Sequence, residues 1–228
     1  MSKKLINCDL GECLTPSPDN EIMPLINMAN IACGGHAGDD ASMVATIKLA
    51  KKNNVKIGAH PSYADKTNFG RINHNLDDKA LYKLIYDQVY HFQNLCLDNG
   101  ATLKYIKPHG ALYHDMTHQQ PVLEVMCQVI DKLDMNLALV VQAGNEEHFK
   151  NFGNNANGLF LHEVFADRGY VGSHMISRGE KGAVLTNENA IIEQYQRFLS
   201  EKSFKIDTIC FHSDNLASVE ALKRLNNA

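Results

Sequence analysis

The chain has 228 residues, of which 44% are hydrophobic and 21% charged, and it carries a formal net charge of -4. Its lysines and arginines are scattered along an acidic chain, so we expect neither nucleic acid nor an anionic membrane as a partner. The N-terminus has no apolar signal segment, and no window approaches the roughly 18 apolar residues of a membrane span, which predicts a cytoplasmic protein. The length favours a single domain over residues 1–228. The 6 cysteines include no C-x-x-C pair and are expected to be reduced.

Two kinds of apolar pattern alternate along the chain. Short β-branched and aromatic runs predict strands, whereas apolar side chains spaced about 3.6 residues apart predict helices. In chain order we predict strand 4–8, helix 22–26, strand 28–33, helix 41–52, strand 55–59, helix 76–99, strand 103–107, helix 121–133, strand 137–141, helix 146–152, strand 159–164, helix 187–199, strand 208–211 and helix 215–225. This alternation is typical of an α/β fold with a mainly parallel sheet, and the chain length favours a seven-stranded, distorted (β/α) barrel.

The predicted strands of the first half end in turns that carry histidines or carboxylates. Asp9 and Glu12 flank a glycine after the first strand, and carboxylates so placed suit acid–base or metal chemistry. His36 lies among three glycines after the second strand, where backbone N–H groups can approach an anion. His60 precedes a proline after the third strand, and His109 lies between a proline and a glycine after the fourth. Any one of these turns could also be a solvated connection without a ligand.

The second half of the chain adds two more polar strand ends. Glu163, Asp167 and Arg168 surround the end of the sixth strand, and the arginine fork suits a carboxylate or a phosphate. The same residues could form no more than a surface ion pair. The last strand is followed by His212 and Asp214.

Ligand sites of parallel α/β folds lie at the carboxyl ends of the strands. Because 6 of the 7 predicted strands end in a histidine or a carboxylate cluster, we predict an enzyme site at this end of the barrel. The connections 62–75 and 169–182 are longer than packing requires, which is typical of lids or ligand-binding loops.

Five stretches of the sequence resemble a known family. They are 7–12 (NCDLGE), 30–39 (NIACGGHAGD), 58–63 (GAHPSY), 107–113 (KPHGALY) and 163–168 (EVFADR). Together they are similar to the LamB/YcsF family, the A subunit of bacterial 5-oxoprolinase, and the similarity extends from end to end. The chain departs from that pattern at Ser213, where relatives tend to have glycine, and at Cys13 after the first motif. Neither departure removes a candidate catalytic group.

The resemblance implies a barrel related to that of polysaccharide deacetylases. It also implies ATP-dependent opening of the 5-oxo-L-proline lactam to L-glutamate, together with B and C subunits. An unstrained lactam is a stabilised amide, so phosphorylation of its oxygen would make the ring carbon electrophilic enough for water. ATP is then expected as a co-substrate bound mainly by the partner subunits, since the chain has no G-x-x-x-x-G-K-[ST] loop.

The strand-end residues have expected roles in this reaction. The expected catalytic residues are Asp9, Glu12, His36 and His109, and the expected substrate-binding residues are His60, Lys107, Tyr113, Glu163, Asp167, Arg168 and His212. Either carboxylate of the first turn would act as the base for water, and the two catalytic histidines would donate protons or stabilise the tetrahedral intermediate. Lys107 or Arg168 would anchor the carboxylate or the phosphate of the substrate.

Two other classes of function remain open. One is a metal-dependent, deacetylase-like amidohydrolase acting on N-acetyl sugars, with nitrogen and oxygen ligands for a divalent ion. Its ligand set would be Asp9, His36, His60 and His109. Against it, we expect no HxxH or HxxxH pair on a single helix or loop. The other class is a noncatalytic subunit that binds the lactam and delivers it to partners. A nucleophilic Cys33 beside His36 is less favoured, because Cys33 follows an apolar strand and suits a buried position.

Overall fold

Seven parallel strands close into a barrel. The computed structural model describes residues 4–133, 136–149, 160–172 and 174–227. Its strands are β1 (Leu5–Leu10), β2 (Met28–Ala32), β3 (Lys56–His60), β4 (Leu103–Ile106), β5 (Ala138–Gln142), β6 (Phe160–Phe165), β7 (Tyr170–Val171), β8 (His174–Met175) and β9 (Thr208–His212). The barrel order is β1 to β6 followed by β9, which pairs with both β6 and β1. The predicted α/β barrel of seven strands is confirmed.

The barrel strands coincide with the predicted strands to within two residues at each described end. Their pairing is parallel throughout, for example from Asn7 opposite Met28 to Leu10 opposite Ile31. The carboxyl ends of the strands therefore lie at one rim of the barrel. The end of the predicted helix 146–152 and the first residue of the predicted strand 159–164 lie outside the described residues.

Helices connect the barrel strands. They are α1 (Asp19–Ile22), α2 (Asp40–Lys52), α3 (Asp78–Asp98), α4 (Gly110–His118), α5 (Gln120–Lys132), α6 (Glu146–Phe149), α7 (Glu188–Ser200) and α8 (Leu216–Asn227). A turn of 3-10 helix over Met23–Leu25 follows α1, and the two together replace the predicted helix 22–26. Each helix in the described ranges is too short or too polar to cross a lipid bilayer.

The sequence pattern does not predict α4, because Pro108 and Gly110 are breakers on either side of His109. In the structure Gly110 has a φ of +54° and is the first residue of the helix, so the breakers mark its start. Leu112 and Met116 lie one turn apart and are fully buried. Packing of this apolar face, more than local propensity, therefore stabilises α4.

Strand β1 shows how the barrel separates apolar from polar side chains. Cys8 and Leu10 belong to the main apolar core of the protein, and Ile6 packs against it. Asn7 and Asp9 alternate with them and make hydrogen bonds across the barrel interior. The interior face of the barrel is thus partly polar, which the apolar strand patterns did not indicate.

An aromatic ring fills part of the barrel interior. Tyr105 on β4 is 1% exposed, and its hydroxyl donates to Asn30 Oδ1 at 2.7 Å. A Cβ on Gly58 of β3 would lie 2.1 Å from the tyrosine ring, so a side chain at this position would displace it. Glycine in β3 therefore makes room for the aromatic side chain of the neighbouring strand.

The long connection after β6 contains a two-stranded hairpin, in which β7 pairs antiparallel with β8. Arg168 fixes the base of this connection, because its Nε donates to Ala183 O at 2.8 Å and its Nη2 to Ile176 O at 3.0 Å. The hairpin therefore has a defined position at the carboxyl rim of the barrel.

Candidate active site

A cavity of about 410 Å³ opens at the carboxyl ends of the barrel strands. The sequence-predicted residues that line it are Asp9, Glu12, His60, Lys107, His109, Tyr113, Arg168 and His212. His36, Glu163 and Asp167 lie behind this layer, and each contacts a lining residue. The strand ends thus bring the predicted residues into one region, while their roles stay predictions.

A buried lysine joins three strands beneath the cavity. Lys107 Nζ lies 2.9 Å from Asp9 Oδ1 and 3.2 Å from Glu163 Oε1. It also lies 3.3 Å from Asn7 Oδ1, and Asn7 donates to Glu163 Oε1 at 2.8 Å. Asn30 adds a hydrogen bond to Asp9 Oδ1 at 2.7 Å. The ammonium group, which is 2% exposed, therefore has two carboxyl partners close to the floor of the cavity.

Charge pairing sets the protonation states in this network. Burial would lower the pKa of Lys107, but the charge of Asp9 and that of Glu163 raise it well above its usual value. Burial also opposes ionisation of Asp9, but His60 and Lys107 hold the pKa of this carboxyl well below its usual range. Burial raises the pKa of Glu163, and Lys107 offsets only part of that effect. At neutral pH, Lys107 is therefore an ammonium and Asp9 a carboxylate.

His60 and His109 face each other at the floor of the cavity. His60 Nε2 lies 3.0 Å from His109 Nδ1 and 3.4 Å from Asp9 Oδ2. The outer ring nitrogens contact the main chain: His60 Nδ1 donates to Lys107 O at 2.6 Å, and His109 Nε2 donates to Phe69 O at 3.0 Å. Because a carbonyl oxygen only accepts, these contacts place a proton on each outer nitrogen.

Glu12 and His36 form a second buried pair next to these histidines. His36 Nε2 lies 3.3 Å from Glu12 Oε1, its Nδ1 lies 3.0 Å from Ser62 Oγ, and its ring stacks on His109 with centroids 3.7 Å apart. Burial raises the pKa of Glu12 well above its usual value, and the nearby charge of Asp9 raises it further. Burial also lowers the pKa of His36 to about 2. The opposite pKa directions of the two carboxyls favour Asp9, the one held ionised, over Glu12 as the base for water.

His212 has a different environment from the other histidines of the site. Its Nδ1 lies 2.7 Å from Asp167 Oδ1, and its Nε2 lies 3.9 Å from Asp9 Oδ2. Burial would lower the pKa of His212, but the carboxylate of Asp167 raises it. Burial likewise opposes ionisation of Asp167, but His212 lowers its pKa. An imidazole that favours its protonated form therefore lies beside the ionised Asp9, as a general acid beside a base.

Two arginines share one carboxylate at the mouth of the cavity. Arg71 Nη2 lies 2.6 Å from Asp214 Oδ2, and Arg178 Nη2 lies 3.8 Å from the same oxygen. Two positive charges against one negative charge leave an excess that favours an anionic ligand. Arg168, expected as an anchor, already has two donors bound to main-chain carbonyls. Arg71 and Arg178 are therefore better placed to hold an anion.

Sequence reasoning identified only part of the site. Arg71 and Arg178 line the cavity and lie in the two long connections predicted as ligand-binding loops. The sequence therefore indicated the loops but not which of their residues reach the cavity. Asn7 and Asn30, which bind the charged network, begin two of the family-like stretches, but their place within strands gave no indication of a role in the site. Tyr113 lines the cavity as expected, and its hydroxyl has no hydrogen-bond partner among the described residues.

One group of side chains has the spacing of a metal site. Ligand atoms of Glu12, His36, His60 and His109 all lie within 4.8 Å of one another. Asp9, expected in this set, instead groups with Cys210 and His212. The expectation that no HxxxH pair lies on one helix is wrong, because His114 and His118 both lie on α4 with ring centroids 4.3 Å apart.

Fold and cavity together define a (β/α)-barrel protein with an acid–histidine site at the carboxyl ends of its strands. Residues 5–228 match the model of the LamB/YcsF family, and the chain belongs to that family. It is 36% identical over 244 residues to the A subunit of 5-oxoprolinase from Vibrio cholerae serotype O1, an alignment that covers 100% of this chain and 99% of that protein.

Solved structures show how widely the barrel is shared. The lactam utilization protein from Thermus thermophilus matches with a TM-score of 0.85 and 26% identity, covering 99% of this chain and 96% of that one. A family 4 carbohydrate esterase from Streptomyces lividans matches with a TM-score of 0.51 and 12% identity, covering 98% and 86% of the two chains. The second likeness concerns the fold alone.

Proposed function

We propose that this chain is the lactam-opening subunit of an ATP-dependent 5-oxoprolinase, which forms L-glutamate from 5-oxo-L-proline together with B and C subunits. The name of the V. cholerae relative, the A subunit of 5-oxoprolinase, supports both the reaction and a multi-subunit assembly. One observation carries the proposal: His212 Nε2 lies 3.9 Å from Oδ2 of the ionised Asp9, and Asp167 raises the pKa of this imidazole above its usual value.

Ring opening of an activated lactam by water needs a base for the water and an acid for the departing nitrogen. Asp9 accepts the proton from water, and Lys107 below it keeps the carboxylate ionised. His212 donates the proton of its imidazolium to the ring nitrogen as the C–N bond breaks, and Asp167 holds the imidazole through Nδ1. The product of this step is γ-glutamyl phosphate, and a second water then cleaves the acyl phosphate to L-glutamate and inorganic phosphate. The pair thus supplies opposite functions from neighbouring side chains.

The arginines at the mouth of the cavity bind the negative charge of the ligand. A five-membered lactam is small compared with a cavity of about 410 Å³, and phosphorylation of the lactam oxygen enlarges the ligand and adds negative charge. Arg71 and Arg178 offer guanidinium donors to the carboxylate or the phosphate of this ligand. The acid–base pair at the floor and the arginines at the mouth therefore orient the ring between them.

ATP is a substrate of the assembled enzyme and is bound mainly by the partner subunits. The chain has no phosphate-binding loop of the G-x-x-x-x-G-K-[ST] type. The ligand of this cavity is then the labile phosphorylated lactam that the partners produce.

Reconstitution with separately purified B and C subunits tests the division of labour. This chain alone should release no glutamate from 5-oxoproline, with or without ATP, and the partners alone should show at most weak ATP turnover. All three subunits together should couple ATP cleavage to glutamate release. Robust glutamate formation by this chain alone would contradict the scheme and indicate an autonomous amidohydrolase.

The variant Asp9→Asn separates a catalytic subunit from one that only binds the lactam. We expect coupled glutamate release to fall by about 10³-fold, because the amide cannot accept the proton of water. The control is Asp87→Asn, since Asp87 pairs with Lys83 on the exposed face of α3 and should not affect turnover. A delivery subunit would keep most of its activity in Asp9→Asn.

A further inference from the structure

The ring nitrogens at the cavity floor point to an additional ligand. His60 donates its Nδ1 proton to Lys107 O, and His109 donates its Nε2 proton to Phe69 O. The inner nitrogens, His60 Nε2 and His109 Nδ1, face each other at 3.0 Å. When both rings are neutral, two lone pairs point at each other, which is unfavourable unless a cation or an extra proton lies between them. Outer N–H groups that bind main-chain carbonyls are the usual arrangement of metal-bound histidines.

A carboxylate completes this donor set. Glu12 Oε1 lies 3.8 Å from His109 Nδ1, and the ligand atoms of Glu12, His60 and His109 lie within 4.8 Å of one another. Atoms bound to one Zn²⁺ at about 2.0–2.2 Å are separated by roughly 3–4 Å, so small side-chain adjustments bring all three onto one ion. The two imidazole planes are nearly perpendicular, at 88°, which allows them to occupy adjacent coordination positions.

His36 lies beside the three proposed ligands and stacks on one of them. Its ring is parallel to that of His109, with an interplanar angle of 4° and centroids 3.7 Å apart, and one of its ligand atoms lies within 4.8 Å of those of Glu12, His60 and His109. Ser62 Oγ donates to Tyr63 O at 2.9 Å, so His36 Nδ1 donates to Ser62 Oγ at 3.0 Å and the neutral ring has no proton on Nε2. His36 Nε2 lies 3.3 Å from Glu12 Oε1 and accepts a hydrogen bond from the protonated carboxyl, a proton that a cation bound by Glu12 would displace.

We propose that His60, His109 and Glu12 bind a divalent cation of the Zn²⁺ class at the floor of the cavity. Imidazole nitrogen and carboxylate oxygen are ligands that such cations prefer, and three protein ligands leave one position open. All three residues line the cavity, and Asp9 Oδ2 lies 3.4 Å from His60 Nε2, so the open position faces the base and the bound ligand. The proposal does not rest on the lactam reaction, because occupancy is measured on this chain alone.

A surface histidine pair has to be removed before the site can be measured. His114 and His118 lie four residues apart on α4, and the side chain of His114 is 64% exposed. Histidines at this helical spacing bind divalent metals on their own. The double variant His114→Gln/His118→Gln is therefore the background for the test.

The test measures Zn²⁺ bound to the full chain in this background. Metal content is determined by mass spectrometry on protein purified without chelators, and affinity by competition with a chromophoric chelator. We expect one Zn²⁺ per chain. Adding His109→Gln or Glu12→Gln should weaken Zn²⁺ binding by at least about 10²-fold. Circular dichroism shows whether each variant folds. If His109→Gln does not fold, the Zn²⁺ affinity of Glu12→Gln decides the question.

Two results would overturn the proposal. One is a folded background variant that binds no Zn²⁺ at stoichiometric concentration. The other is a folded His109→Gln or Glu12→Gln variant that binds Zn²⁺ as tightly as the background. In either case the 3.0 Å contact between His60 and His109 would hold a shared proton in place of an ion. The readout uses neither ATP nor partner subunits, so failure of the metal site and failure of the lactam reaction are separate outcomes.

Discussion

Charged side chains have different partners in the barrel interior and at the carboxyl rim of the barrel, where the cavity opens. In the interior, Lys107 lies between the carboxylates of Asp9 and Glu163, and Asn7 adds hydrogen bonds to the same groups. At the rim, His212 and the arginines line the cavity, where a ligand can reach them. Asp9 belongs to both regions, since Oδ1 contacts the lysine and Oδ2 faces the histidines. The interior thus fixes the charge and position of a group that acts at the rim.

Replacing Lys107 by Met should remove the charge pairing of the barrel interior and cause the largest loss of unfolding free energy among these variants. The change leaves the carboxylates of Asp9 and Glu163 buried without their cation, which typically costs about 3–5 kcal/mol of unfolding free energy. Urea unfolding followed by circular dichroism measures this loss. Lys83→Met is the control, because Lys83 pairs with Asp87 on an exposed helix face. Equal stability of Lys107→Met and the wild type would show that the interior charges are not coupled.

Replacing His212 by Gln should act on the rim and leave the interior intact. We expect coupled glutamate release by the reconstituted enzyme to fall by about 10²-fold, because the acid for the ring nitrogen is lost. The unfolding free energy should change far less than in Lys107→Met, since glutamine can still donate to Asp167. His91→Gln is the control, because His91 pairs with Asp40 on the surface. A variant as active as the wild type would remove His212 from the proposed mechanism.

The variant Asp167→Asn should change the pH dependence and not only the rate. Burial lowers the pKa of His212 and Asp167 raises it, so loss of the carboxylate moves this pKa downward. A step that needs protonated His212 is lost as the pH rises through its pKa. The alkaline limb of the activity profile should therefore begin at a lower pH in Asp167→Asn than in the wild type. The wild type and Asp167→Asn are assayed with the same partner subunits. If the alkaline limb is the same in both, a group other than His212 is the acid.

The set of residues at the carboxyl rim was predictable from the sequence, because the chain direction alone determines which strand ends lie there. In a parallel barrel every strand end reaches the same rim, so His60, His109 and His212 could be brought together without knowing their contacts. The interior was not predictable to the same degree. The predicted first strand ends at residue 8, whereas β1 continues to Leu10, so Asp9 was expected in a turn although it lies within the strand.

Pairings between distant strands are a second feature that the sequence did not indicate. The contact of Lys107 with Glu163 depends on which strands are opposite each other across the closed barrel. Arg168 was expected to bind the ligand, and only the fold of the hairpin shows that main-chain carbonyls accept two of its hydrogen bonds. Residue type and local spacing identify chemically competent groups, but the three-dimensional arrangement decides which partner each one has.

The smallest expected effect lies at the mouth, where Arg71→Gln removes one of two guanidinium groups. Arg178 shares the same carboxylate oxygen of Asp214 and stays in place, so the loss of anion binding is partial. A charge-assisted hydrogen bond at a partly exposed position contributes about 1 kcal/mol, which corresponds to about a fivefold effect. We expect the ratio of glutamate formed to ATP cleaved to fall by about this factor, because the labile phosphorylated lactam escapes more often.

The double variant Arg71→Gln/Arg178→Gln extends this test, and its coupling ratio should fall further than in either single variant. Arg224→Gln is the control, since Arg224 pairs with Glu188 and does not line the cavity. An unchanged ratio in both single variants and in the double variant would place the anion of the ligand elsewhere in the cavity. Asp214 would then serve as a structural tie between the loops that carry the two arginines, and the excess positive charge at the mouth would need a different explanation.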